Sequence, residues 1–335
     1  MRITNNMITA KYIRSLGTLS FDLDRLNTQV ASGRSFMKSS ENTSAAVKAY
    51  QVRRDLSKAE SYQANIDHAR SFLTNTESAL FHMNELVQTA KERISVGING
   101  TTTKDERVIV ATEIRNIQDQ FLQTLNTNAS DVYLFGGTNT DVQPFEVSGG
   151  KLYYNTTALD MAAPGTALEA ALRSDSLYVD IGLNARFDPL TGQTDRSTVF
   201  NYSIPGIQVT GSGTTLIHGK ETSNNLYDLL GEIASEFESS DFSTGRMNDL
   251  FGHLAEIGGN VINTLTTVGS KTSYLEFMTD RIETRTLNLQ ESQLSLEAAD
   301  PAEAIIHFES QKLAYMAALK MGTSIIQPSI FDYMN

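Results

Sequence analysis

Apolar residues recur at strict seven-residue intervals in two stretches far apart in the chain. The first carries Ile66, Leu73, Leu80, Val87 and Ile94, and the second Val261, Val268, Leu275, Ile282, Leu289 and Leu296. A straight α-helix drifts against a seven-residue repeat, so stripes held this long predict helices that wind around one another. Ala59, Tyr62, Ala69, Thr76, Met83 and Ala90 fill the alternate positions of the first seam, which extends it over roughly 50 Å of helix at 1.5 Å per residue. The pattern predicts a rod-like helical body with Ile66, Leu73, Leu80, Val87, Leu275, Ile282 and Leu289 as its seam.

Residues 7 to 33 read as a separate amphipathic helix, because Tyr12, Leu16, Leu19, Leu23, Leu26 and Val30 alternate at spacings of four and three. Gly33 suits its C-terminal stop, and the polar loop Ser39 to Ser44 offers a Ser or Thr to cap the next helix. Gly97 and Gly100 break that helix. Asp105 and Glu106, suited to the positive end of a helix dipole, open a third, in which Val110, Ile114, Ile117, Phe121 and Leu125 repeat the stripe. From about 139 to 220 Gly, Thr and Pro become common, and short apolar runs such as Lys151 to Tyr154, Leu177 to Ile181 and Val199 to Ile204 alternate with turn residues. Helical spacing returns with Leu226, Leu229, Leu230, Ile233 and Phe237, and again from about 246 to 298. Asp300-Pro301-Ala302-Glu303 then combines an N-cap acid, Pro at the first helical position and Glu at the third, a start signal for a last helix.

The expected fold is therefore mainly α with a β-rich insert: long antiparallel coiled-coil helices formed by both ends of the chain, and a small β domain in the middle. Residues 1–39 with 301–335 form the terminal helices, 40–138 with 221–300 the helical body, and 139–220 the insert.

The last helix does not keep its apolar residues to one stripe. Ile305, Ile306, Phe308, Leu313, Tyr315, Met316, Leu319, Met321, Ile325 and Ile326 spread over several faces, which predicts burial on several faces. Pairing with the first helix covers one stripe on each and leaves Ile305, Ile306 and Leu313, with Ile13 and Phe21, wet in a single subunit. Covering each is worth about 1.5–3 kcal/mol. Neighbours of the same or a related protein are the expected cover, with both ends mobile in the free subunit and ordered on assembly.

Composition narrows the function classes. The chain has 335 residues, 40% hydrophobic, 20% charged, with a net charge of −12. An acidic balance argues against nucleic acid, and the absence of cysteine removes disulfides, thiolate chemistry and Cys-ligated zinc together. The opening shows no basic segment leading into an apolar core, and no stretch approaches the ~18 apolar residues of a membrane helix. This reading gives no cleavable signal and no membrane anchor. The five histidines, His68, His82, His218, His253 and His307, form no metal-ligand spacing. Gly211-Ser212-Gly213 lacks the context of a nucleophile elbow, and the pairs Asp22/Asp24 and Glu232/Glu236 read as solvated helix faces. No cofactor, metal or catalytic residue is expected.

Four segments together carry a resemblance: the opening Met1-Arg2-Ile3-Thr4-Asn5-Asn6-Met7-Ile8; the Leu-rich helix ending Ala31-Ser32-Gly33-Arg34; Tyr133-Leu134-Phe135-Gly136-Gly137 followed by Pro144-Phe145; and Ser329-Ile330-Phe331-Asp332-Tyr333. In this order they resemble the hook-filament junction members of the flagellin superfamily of bacteria, over roughly 1–145 and 222–335. The resemblance implies a structural, non-catalytic part of the flagellum, exported by the flagellar type III apparatus without signal cleavage. It implies assembly with copies of itself in a ring between hook-associated protein 1 and flagellin, and a cytoplasmic export chaperone on the C-terminal region. Leu16, Leu19, Leu23, Leu26, Val30, Ile305, Phe308, Met316 and Leu319 are then the assembly interface. Filament flagellin is the nearest rival reading. A secreted enzyme with its site in the insert and a cytosolic coiled-coil adaptor are the others.

Overall fold

The computed structural model describes residues 2–99, 102–188, 192 and 194–325. The segment Ser329 to Tyr333 and Ile326 lie outside the described residues. Helices and strands follow in the order α1 (Arg2–Ser32), α2 (Thr43–Ile98), α3 (Lys104–Leu125), β1 (Asn128–Ala129), β2 (Val132–Tyr133), β3 (Phe145–Ser148), β4 (Lys151–Tyr154), β5 (Thr157–Ala158), α4 (Ala167–Arg173), β6 (Tyr178–Val179), β7 (Phe200–Asn201), α5 (Ile207–Thr210), β8 (Thr214–Ile217), β9 (Lys220–Ser223), α6 (Leu226–Glu238), α7 (Thr244–Glu297) and α8 (Pro301–Ile325). The fold is mainly α, with long helices from both ends of the chain and a small antiparallel β region in the middle, as the hydrophobic pattern predicts.

Local chemistry sets the helix ends. Gly33, at φ +67°, stops α1 and returns its N–H to the Gln29 carbonyl. Helix α2 is capped by Asn42, whose Oδ1 accepts from Ala45 N at 3.1 Å; the expected Ser or Thr cap is not used, because the amide oxygen of Asn42 reaches the first free N–H groups. Thr103 and Glu106 close a reciprocal capping box at the start of α3. At α8, Asp300 Oδ1 accepts from Ala302 N at 2.8 Å and Glu303 N at 3.3 Å.

The described chain divides into two compact units, Met1–Glu60 with Glu283–Asn335, and Ser61–Ile282. In the second, α2 and α7 run antiparallel: Val87 meets Gly258, and Arg70 Nη2 donates to Thr279 Oγ1 at 2.8 Å. Ile66, Leu73, Leu80, Val87, Ile94, Val261, Val268, Leu275 and Ile282 are all buried. Helices α3 and α6 form a second antiparallel pair. Arg115 grips Glu238 through two bonds of 3.1 and 2.7 Å, and Gln118 Nε2 donates to the Tyr227 carbonyl at 2.9 Å. A Cβ on Gly97 would meet the Phe237 ring at 2.7 Å, so α2 ends where α6 needs a bare backbone.

Among the described residues the β region comprises four small antiparallel sheets, β1-β2, β3-β4-β5, β6-β7 and β8-β9. Four two-residue hairpins join neighbours, and each places both turn residues at positive φ: Ser130-Asp131, Gly149-Gly150, Asn155-Thr156 and His218-Gly219. Primed turns match the twist of paired strands and require that backbone. Helix α3 ends at Asn126, whose amide exchanges two 3.0 Å hydrogen bonds with the backbone of Phe145 and so substitutes for a strand neighbour. Leu134 and Phe135 are buried beyond it.

Aromatic contacts seat the β region on the helices of this unit. Tyr202 meets Phe72 edge-on with ring centres 5.3 Å apart, and Phe200 stacks on Tyr274 at 5.7 Å. Replacing Leu80, fully buried in the seam, with Ala should cost about 2–5 kcal/mol. Replacing its exposed neighbour Phe81 should change stability by only ~0.5 kcal/mol or less. Urea unfolding followed by circular dichroism checks both.

Candidate functional site: the terminal helix pair

Helices α1 and α8 lie antiparallel within the unit formed by the chain ends. The Tyr12 hydroxyl donates to the Ala318 carbonyl at 3.0 Å, and at the other end of the pair Ala299 N donates to the Gly33 carbonyl at 2.9 Å. Leu16, Leu19, Leu23 and Leu26 are half-buried, as a stripe covered by one partner should be. Val30 is more exposed.

Helix α8 answers that stripe in an unexpected way. Its covered positions are Ala304, Phe308, Gln311, Tyr315, Ala318 and Gly322, spaced four and three apart. The Cβ that Gly322 lacks would overlap the Tyr12 hydroxyl. Small side chains at Ala304, Ala318 and Gly322 let the two backbones approach, and apart from the half-buried Phe308 and Tyr315 the large apolar side chains are left on the other faces. Ile306 is 67% exposed and Leu313 63%, while Ile305, Met316, Leu319 and Met321 are also exposed. On α1, Ile13 is 60% and Phe21 65% exposed. Of the residues expected at an assembly interface, the Leu stripe and Phe308 are partly used inside the pair. Val30, Ile305, Met316 and Leu319 are open. The body-seam residues Ile66, Leu73, Leu80, Val87, Leu275 and Ile282 are buried, and Leu289 is half-buried.

A clasp closes the pair where the chain enters α2 and leaves α7. Residues Arg34 and Ala298 form an antiparallel bridge, and Ser35 N donates to the Glu297 carbonyl at 2.7 Å. The Glu297 side chain, 9% exposed, takes a two-pronged grip from Arg53 at 2.7 and 2.6 Å. That guanidinium holds the Glu297 carboxyl below the ordinary carboxylate range. Residues 244 apart in sequence meet here, and neither belongs to an apolar stripe, so periodicity gave no signal for it.

Among the described residues no group of three or more His, Asp or Glu could hold a metal, and no helix is long and apolar enough to cross a membrane. His68 and His82 are exposed helix residues, and Gly211 and Gly213 sit at positive φ in a turn after α5. The reading of Glu232/Glu236 as a solvated face is corrected. With Asp228 they form a ladder at four-residue spacing on the face of α6 that β4 and β9 cover. Asp228 accepts from Leu152 N at 3.0 Å, Glu232 accepts from Ser223 N at 3.0 Å, and Glu236 faces Arg246 at 3.1 Å. Burial raises the carboxyl of Asp228 to about 6 and also raises that of Glu232. They border a cavity of about 670 Å³ with Lys151, Lys220 and Arg115. The acids are engaged in holding backbone N–H groups of the fold, a structural use that accounts for their burial.

Comparison with known proteins bears on the helical parts. The family model for the bacterial flagellin N-terminal helical region matches residues 3–140. Flagellar hook-associated protein 3 of Escherichia coli strain K12 is 25% identical over 206 residues, covering 60% of this chain and 63% of the relative. Its counterpart in Salmonella typhimurium strain LT2 is 29% identical over 155 residues, 45% of this chain and 48% of the relative. The matched stretches thus span less than two thirds of either relative. A candidate flagellar hook-associated protein from Vibrio parahaemolyticus has a similar fold, with TM-score 0.59 and 19% identity, over 76% of this chain and 99% of that one. The resemblance to the flagellin superfamily read from the ends of the sequence is borne out.

The clasp yields a pH prediction. Glu297 titrates lower in the fold than its ordinary value of 4.5, so its contribution is present above pH 4.5 and is lost as the pH falls through the lowered value. Glu297→Gln should destabilise the terminal pair at pH 7. The gap to the unmodified protein should narrow as the pH falls below 4.5 and close once it passes the lowered value, as read from thermal unfolding across acidic pH.

Proposed function

Since the chain resembles flagellar hook-associated protein 3 in sequence and a flagellar hook-associated protein in fold, we propose that it is a structural component of the bacterial flagellum. In this reading it joins hook-associated protein 1 at the end of the hook to the flagellin filament, and it catalyses no reaction. The observation that carries the proposal is the surface of the terminal pair: α8 turns small side chains to α1 and leaves Ile305, Ile306, Leu313, Met316 and Leu319 uncovered. An exposed apolar face on a pair that is already formed is what an assembling subunit requires.

Residues 1–39 with 301–335 act as the inner assembly core, the helical body of 40–138 with 221–300 stiffens the subunit through its seams, and 139–220 forms the β-rich insert. The partners are further copies in a ring, hook-associated protein 1 and flagellin, with an export chaperone covering the C-terminal region in the cytoplasm. The subunit is exported without cleavage and works outside the cell. No cofactor, nucleic acid or membrane takes part.

The match to the flagellin N-terminal helical region supports one rival, a filament subunit. Deleting the gene separates the two. A junction protein predicts bare hooks with unpolymerised flagellin in the medium. Loss of the flagellin band itself means a filament subunit, and unchanged filaments overturn the flagellar reading. Leu23→Asp and Leu319→Asp should each abolish filament growth in the complemented deletion strain while the purified variants keep the cooperative unfolding of Ser61–Ile282. Normal filaments on both variants would remove the terminal pair from the assembly interface.

A further inference from the structure

Two helices hold the β region through a buried carboxylate and a half-buried ammonium, each hydrogen-bonded only to neutral groups. On α6, Asp228 is 6% exposed. Its Oδ1 accepts from Leu152 N of β4 at 3.0 Å and its Oδ2 from Asn225 Nδ2 at 2.8 Å. Lys151 faces it but is paired with Asp160, which in turn adds like charge, as does Glu232 one turn along α6. Of the remaining cations around this cavity, Arg246 of α7 is engaged by Glu236 and Arg115 of α3 by Glu238, while Lys220 of β9 stands exposed at its edge beside Glu221. On α7, Lys271 reaches the β7 segment, where its Nζ donates to the Ser203 carbonyl at 3.1 Å and to Asn201 Oδ1 at 3.4 Å. Among the described residues no carboxylate pairs with it. Tyr202, between the two residues that hold it, rests on Phe72 and His68 of α2 and brings no charge at neutral pH.

We propose that Asp228 and Lys271 make the attachment of the β region to the helices weakest near neutral pH, so that this region opens first while the α2–α7 seam stays folded. A buried ion satisfied only by neutral dipoles recovers less than its lost hydration. Removing the charge therefore favours the closed state.

Titration supports the geometry. Burial lifts the Asp228 carboxyl from 3.8 to about 6 and lowers the Lys271 amine from 10.5 to about 8. A carboxyl whose folded value is raised imposes its penalty in full above pH 6 and is relieved as the pH falls towards 3.8. An amine whose folded value is lowered imposes its penalty in full below pH 8 and is relieved as the pH rises towards 10.5. Between those two values both charges are carried at once. Segments held this way belong to the low end of the local-stability range.

The test is amide hydrogen exchange on the full chain at pH 5.5, 7 and 9, corrected for the intrinsic pH dependence of exchange. Peptides over β4 and β7 are compared with seam peptides around Leu73 and Leu80. Protection over β4 should rise about fourfold from pH 7 to 5.5, and protection over β7 about tenfold from pH 7 to 9, as those shifts require. The seam should not follow either change. Asp228→Asn should flatten the acid rise and Lys271→Met the alkaline one, each with more protection at pH 7 than the unmodified chain. Protection of the β region that peaks at pH 7 overturns the proposal, as do variants that lower protection while keeping both rises. Should Asp228→Asn fail to fold, the profile of the unmodified chain and the Lys271→Met variant decide it.

Discussion

The antiparallel packing of α2 against α7 in Ser61–Ile282 is the interaction on which the other contacts of that unit depend. Ile66, Leu73, Leu80, Val87 and Ile94 supply one side of the seam and Val261, Val268, Leu275 and Ile282 the other. Once this pair is fixed, α3 and α6 have a surface to complete. Phe237 reaches the bare backbone at Gly97, and Phe121, Ile114, Leu229, Leu230 and Ile233 are withdrawn from solvent in the same unit. The β region takes its place from the same two long helices, through Phe72 on one and Tyr274 and Lys271 on the other. A seam of large aliphatic side chains closes fully within one chain and asks for no partner.

The terminal pair is built on the opposite principle. Its contact stripe on α8 is fully covered only at Ala304, Ala318 and Gly322, which bury little apolar area, with Phe308 and Tyr315 half-buried between them and Tyr12 supplying a directional bond to a carbonyl. Little of the hydrophobic driving force available to α8 is spent inside the subunit. A helix that pairs through small residues and displays large ones is stable enough to form yet keeps most of its burial energy for another molecule. The clasp of Gly33, Ser35, Glu297 and Ala299 fixes the register of that pair with directional bonds in place of apolar contacts. The proposed assembly role rests on this division.

Much of this was legible in the sequence because it is periodic. Seven-residue spacing exposed both long seams, Gly33 and Asp300-Pro301 marked helix ends that the structure keeps, and the surplus apolar residues of α8 stood out from the stripe of α1. What stayed hidden is not periodic. The hairpin turns at Ser130-Asp131 and Asn155-Thr156 take positive φ without glycine, so only Gly149-Gly150 and Gly219 carried a visible signal. The contact stripe of α8 escaped notice because only Phe308 and Tyr315 among its members are large and apolar, while Ala304, Gln311, Ala318 and Gly322 add nothing to a count of large side chains. The Arg53–Glu297 grip and the α6 carboxylate ladder depend on which distant segments meet. Charge on a helix reads as solvated until the covering strand is known.

The most direct measurement of the central claim uses the absence of cysteine from the natural chain. Single cysteines placed by Ile305→Cys, Leu313→Cys and Leu319→Cys, in strains that still build filaments, can be tested with a water-soluble thiol reagent in the purified subunit and in isolated flagella. The account predicts fast labelling in the free subunit and strong protection in the assembled one at all three positions. Equal labelling in the two states would show that these faces stay open to water after assembly, and would contradict it.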